Sequence, residues 1–173
     1  TELINMISTL KQIKSKFLNL IPLFLLFFIA LNGNSVVDFK FFSTNIHYIL
    51  VYFWVLKQPR TLGYGYIFIS GIITDVVFGL PMGVSALTLL IIAAIATYVR
   101  VVSVNISLIT DWLSFIPALI VANFVYFVSL FFLNYSIDYL YLLKNSVFTF
   151  ISYPVLWLIF NALISISKRE IHA

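Results

Sequence analysis

Asp75 is the only formally charged side chain between Arg60 and Arg100, in a stretch dominated by Ile, Val, Leu, Phe and Ala. Gly71 and Gly79 stand four residues away on either side, and helical spacing puts all three on one face. A carboxylate in lipid-length apolar sequence costs about 2.5–3.5 kcal/mol at a helix centre on insertion scales. Such a group is either held by donors that offset this cost, as the clasp of a helix pair, or it is used. The uses are a partner-binding charge, a ligand contact or a proton site. The segment Gly79-Leu80-Pro81-Met82-Gly83 points to the donors. Read as a turn into a new helix, it sets Pro81 at the first helical position, where a missing N–H costs nothing. The helix start then offers free amides and a partial positive charge beside the carboxylate. Gly71 and Gly79 would let the neighbouring helix approach closely, as in small-xxx-small packing.

The remaining polar residues carry less chemistry. Asn123 and Asn161 fall inside apolar runs and suit interhelical hydrogen bonds. Asp111 follows Thr110 at a helix start, where a negative charge complements the helix dipole. His47 and His172 are isolated, with no second ligand at metal spacing. There is no His-Glu-x-x-His, Gly-x-Ser-x-Gly, P-loop or Gly-x-Gly-Asp pattern. Asp75 and Asp111 are the only carboxylates between Lys40 and Tyr135. The topology below sends them to opposite ends, so they form no acid dyad. Neither an enzyme nor a cofactor or metal site is expected.

The elements that position these residues follow from composition. The chain is 62% hydrophobic and 9% charged, with mean hydropathy +1.10. Soluble domains carry about 25% charged residues, so an all-α polytopic membrane protein is expected. In 173 residues, about six spans of roughly 20 residues fit as one membrane domain. They fall at 17–37, 41–56, 62–80, 81–102, 108–133 and 146–166. The second is short. Lys11, Lys14 and Lys16 precede the first, and without a small-x-small cleavage site it reads as an uncleaved span. Pro22, Pro117 and Pro154 read as kinks. Residues 134–145, with Tyr135, Tyr139 and Tyr141, suit a membrane-interface belt. The nine apolar residues around Asp75 in the third span offset its insertion cost, at roughly −0.3 to −0.6 kcal/mol each.

With both termini cytoplasmic, Lys11, Lys14, Lys16, Lys57, Arg60, Arg100, Lys168 and Arg169 lie inside, and only Lys40 and Lys144 outside. Eight against two satisfies the positive-inside rule. It also accounts for the net charge of +4 without a nucleic-acid surface. Asp75 and the Gly79–Gly83 turn then face outward. The absence of cysteine removes disulfides and thiolate chemistry.

Tyr52-Phe53-Trp54, Pro59-Arg60, Gly71-Ile72-Ile73-Thr74-Asp75-Val76 and Gly79-Leu80-Pro81-Met82-Gly83-Val84-Ser85-Ala86-Leu87 resemble the rod shape-determining protein MreD family. Met82 stands where Leu is usual. The match covers under a third of the chain, from Tyr52 to Arg100. The resemblance implies a non-catalytic component of the cell-elongation machinery in the bacterial inner membrane, helping organise lateral-wall peptidoglycan synthesis. Its implied partners are the bitopic protein MreC, the actin-like MreB, RodA and a penicillin-binding transpeptidase. The chain is also similar in size and span number to the vitamin-binding components of energy-coupling-factor transporters. Those carry a docking Ala-x-x-x-Ala in the first span. Here the first span has only Ala30, and the spacing recurs at Ala118–Ala122 in the fifth.

Overall fold

The computed structural model describes residues 20–32, 44–103, 107–135 and 138–172, with side chains described up to 166. The basic N-terminal segment, Lys40, the span boundaries expected at 17–19, 33–37 and 41–43, and the side chains of Lys168 and Arg169 lie outside that set.

Every described element is helical: α1 (Leu20–Asn32), α2 (Ile46–Lys57), α3 (Tyr64–Phe78), α4 (Val84–Val102), α5 (Leu108–Phe132) and α6 (Tyr139–His172). Three of them, α4, α5 and the 139–166 part of α6, are long and apolar enough to cross a membrane. The chain thus has transmembrane-like helical character. Its outward faces stay apolar, with Phe24 70%, Phe124 65% and Phe132 78% exposed. Water would not favour such a surface.

The short α2 is the centre of the bundle. Every residue from His47 to Leu56 is buried. A 12-residue helix spans about 18 Å, well short of a bilayer's hydrocarbon core. Enclosure explains how it can be short and apolar all round: its neighbours, not lipid, cover it. α4 packs against α2, α3 and α5, and α6 against α5 and α2. Leu26 and Ile29 of α1 join the same core.

Local chemistry sets the ends. Asn45 caps α2 by accepting from the Tyr48 amide at 3.3 Å, and its own N–H donates to Thr149 Oγ1 of α6 at 2.9 Å. At the other end of α2, Arg100 Nη1 donates to the Val55 carbonyl at 3.2 Å, one of the last-turn carbonyls that lack helical partners. α5 stops at a left-handed Asn134, φ 52°. There Tyr135 N–H bonds the Leu130 carbonyl and Asn134 N–H the Phe131 carbonyl, the paired pattern of a Schellman stop.

α2 begins only at Ile46, after Thr44 and Asn45, and α6 runs on past 166 to His172; two further helix starts also differ from the sequence reading. α6 begins at Tyr139 rather than Ser146. Asp138 Oδ1 accepts from the Leu140 and Tyr141 amides at 3.0 and 3.1 Å and so caps the helix seven residues earlier. Tyr139 and Tyr141 are therefore helical. The second difference is the start of α4, described below. α5 and α6 also continue through Pro117 and Pro154. Pro154 has no N–H to give the Phe150 carbonyl, and Trp112 Nε1 donates to that carbonyl instead at 2.9 Å.

Trp54 is buried between Phe53 and Phe160, with ring centroids 5.3 and 4.6 Å away. Among the described residues its Nε1 has no hydrogen-bond partner. Trp54→Ala is expected to destabilise the protein by about 3–5 kcal/mol. Trp54→Phe removes the unpartnered N–H, keeps most of the ring and should cost less than half as much. Reversible unfolding in detergent micelles measures both. Equal losses would mean that the indole N–H matters after all.

Candidate functional site

α3 and α4 form a hairpin fastened by one side chain. Asp75 is fully buried. Its Oδ2 accepts from the Gly83 amide at 2.7 Å and its Oδ1 from the Ser85 amide at 2.9 Å. Gly83 is the N-cap of α4 and has no side chain with which to cap it. A normal N-cap side chain would take the amide two or three residues on, and the acid of a capping box would return to the N-cap amide. Asp75 performs both tasks from the neighbouring helix. Its negative charge also sits at the positive end of the α4 dipole.

The backbone of the same residue ends α3. Leu80 N–H donates to the Asp75 carbonyl at 2.8 Å, and Gly79 N–H to the Val76 carbonyl at 3.3 Å. With Gly79 at φ 64°, this is a second Schellman stop. Asp75 therefore closes one helix through its carbonyl and opens the next through its carboxylate.

Gly71 supplies the close approach. A Cβ on Gly71 would lie 2.3 Å from Ala86 Cα, so only glycine lets the two backbones meet there. Gly79 does something else. No described residue lies within 4 Å of a Cβ built on it, and it stands beyond the end of the helix. Its contribution is the left-handed conformation, not small size, which corrects the expectation that it packs beside Gly71.

Pro81 is corrected as well. α4 starts at Val84, after a turn in which Val84 N–H approaches the Pro81 carbonyl at 3.4 Å. Pro81 is three residues too early to be its first residue. Its steric effect falls on Leu80, which it drives out of helical geometry. The helix begins where the carboxylate can reach amides, and Gly83, at φ 100°, supplies the first of them.

The other sequence candidates are scattered through the fold. Tyr52 is buried and donates from its hydroxyl to Ser114 Oγ at 2.8 Å. Trp54 is core. Pro59 and Arg60 are exposed in the turn after α2. Asn123 Nδ2 donates to Ser146 Oγ at 2.9 Å, the expected tie between α5 and α6. Asn161 is half-buried on α6, away from the hairpin.

Asp111 has more than a helix-start role. It lies in the first turn of α5, but its Oδ2 also pairs with Lys57 Nζ at 3.1 Å and accepts from Trp157 Nε1 at 2.8 Å. The Lys57 ammonium sits 5.4 Å from the centre of the Trp157 ring. These partners come from α2 and α6, and no local spacing reveals them. A cavity of about 290 Å³ beside the hairpin is also invisible in the sequence; Thr74 and Ser85, which flank the Asp75 contacts, help line it. Among the described residues, no three acidic or histidine side chains gather as a metal site.

No protein-family model, curated protein or solved structure matches this chain.

Asp75→Ala leaves two buried amides without an acceptor, and at about 1–3 kcal/mol each it should cost roughly 2–6 kcal/mol of stability. Asp75→Asn keeps one acceptor oxygen and should lose about half of that. Gly71→Ala forces the hairpin backbones apart and should cost about 1–3 kcal/mol. Unfolding midpoints of the three variants in one detergent system check this. An Asp75→Ala protein as stable as the parent would remove the hairpin clasp.

Proposed function

We propose that this chain is a non-catalytic, multi-pass scaffold of the MreD type. In that role it crosses the bacterial inner membrane about six times, with both termini in the cytoplasm. It holds the transmembrane helix of an MreC-like bitopic protein and so helps organise MreB, RodA and a penicillin-binding transpeptidase for lateral-wall synthesis.

The observation that supports this reading is the state of Asp75. Within the family-like motif, the part from Gly71 to Ala86 closes on itself as one hairpin. Both carboxylate oxygens accept backbone amides in a site closed to solvent. Gly71 fits against Ala86, and Gly79 ends the helix. A carboxylate held this way acts as a structural anchor, as a scaffold needs to present a constant surface. The charges at the other end support the same orientation. Lys57 and Arg100 both bind groups at the far end of α2, where the positive-inside rule puts the cytoplasm.

A second reading is a component that captures a small water-soluble molecule, with a fold like that of the vitamin-binding subunits of energy-coupling-factor transporters. The cavity beside the hairpin favours it. The docking motif does not, because Ala30, Ala118 and Ala122 are all fully buried within the bundle and leave no Ala-x-x-x-Ala face for an external subunit.

Purification of the tagged chain from its native membrane separates the two. Stoichiometric recovery of a bitopic protein with a periplasmic coiled coil, lost in Gly71→Ala, is the expected result. Recovery of paired ATPases, or of a bound vitamin without such a partner, would overturn the scaffold.

A further inference from the structure

The cavity lies at the Asp75 end of the bundle, among residues of α1 to α6. At about 290 Å³ it is near the lower limit of small-molecule sites. A partner helix, about 10–12 Å across, does not fit it. Its walls are braced rather than loose. Tyr135 donates from its hydroxyl to the Gly79 carbonyl at 3.3 Å, joining the turn after α5 to the turn after α3. Asn123, in the wall itself, ties α5 to α6, and His47 Nε2 lies 3.3 Å from Ser70 Oγ.

The lining has a definite chemistry. Tyr48, Phe78, Tyr126 and Tyr141 supply aromatic surface, and Asp138 supplies a carboxylate. No Lys or Arg is among the described lining residues; Lys144 lies one turn farther along α6. Asp138 caps α6 through Oδ1 and lines the cavity from the start of that helix. Asp75 lies behind Ser85, whose amide it accepts. Among the described lining residues an anion would meet the Asp138 carboxylate and no Lys or Arg. A cation would meet a carboxylate and the negative faces of aromatic rings, the arrangement that holds ammonium groups.

We infer that this cavity is a binding site for a compact organic ammonium cation of about one ring's size. The inference deepens the second reading, on which it rests only in requiring that the cavity take a ligand; it does not require a transporter.

The test uses the full chain in lipid nanodiscs and equilibrium dialysis with three probes: phenyltrimethylammonium, benzyl alcohol and benzoate. Saturable binding of phenyltrimethylammonium is expected, with benzoate at least about ten-fold weaker because its charge is repelled. Asp138→Asn keeps the capping oxygen and removes only the charge, so it should weaken the cation about three- to ten-fold with an unchanged melting temperature. Tyr126→Leu should weaken it comparably. If benzyl alcohol or benzoate binds as tightly as the cation and remains sensitive to Tyr126→Leu, the cavity takes a ligand but the cation class is wrong. If no probe binds saturably, or both variants bind as the parent does, the cavity is not a ligand site and the second reading falls with the proposal.

Discussion

The first turn of α4 is buried against its neighbours from Val84 to Ala86, and satisfying its amides there is the constraint that organises this protein. Orphaned amides at a helix start cost more in such surroundings than at a wet surface. The start of α4 is capped from outside itself, because Gly83 has no side chain to offer. Asp75 brings both acceptor oxygens from α3. α4 is in turn the helix against which α2, α3 and α5 all pack. Fixing where α4 begins fixes which of its residues face each neighbour. Ala86 then meets Gly71, and Ala93 and Ala96 meet the core. One carboxylate thus sets the register of the central packing, while its own backbone carbonyl decides where α3 stops.

The two ends of the bundle solve burial differently. At the Asp75 end, turns are closed by backbone amides, two Schellman stops and a tyrosine hydroxyl that joins them. At the Lys57 end, full charges meet: Lys57 with Asp111, Trp157 on the same carboxylate, and Arg100 on a helix-end carbonyl. A buried carboxylate with a cation and an indole N–H has its charge matched as well as its hydrogen bonds. Among the described residues, Asp75 has only amides and a helix dipole. It depends on geometry alone, and the left-handed Gly79 and Gly83 on either side of the turn supply that geometry.

What was legible in the sequence was local. Apolar runs and their polar breaks gave α3, α4 and α5 to within a few residues. The lone Asp75 beside a Gly- and Pro-containing turn gave the contact between a carboxylate and helix-start amides. Errors arose where a residue's effect depends on a conformation that its letter does not reveal. Gly79 reads the same whether it is small or left-handed. Pro81 suits a first helical position equally well three residues before the true one. Asp138 looks like a loop charge until its carboxylate is seen capping α6. The pairing of Asp111 with Lys57 and Trp157 spans 54 and 46 residues of chain, and no periodicity encodes it. The length of α2 was legible but its meaning was not: a short apolar run looks like a weak span until its neighbours are seen to enclose it.

The clasp and the cavity share a wall, which bears on how the two functional readings relate. Ser85 gives its amide to Asp75 and lines the cavity. Gly79 ends α3 and takes the Tyr135 hydroxyl at the cavity's rim. Asp138 begins α6 and lines the same space. Any group filling the cavity therefore touches residues that set three helix ends. The surface formed by those ends is the one a periplasmic partner would meet in the topology proposed. A ligand held there would stiffen that surface without altering the clasp, because the carboxylate's two bonds lie behind the wall and not in the cavity. The two proposed roles are then compatible in one hairpin: the buried carboxylate fixes the turn through both its oxygens, and the cavity lies beside the turn it fixes.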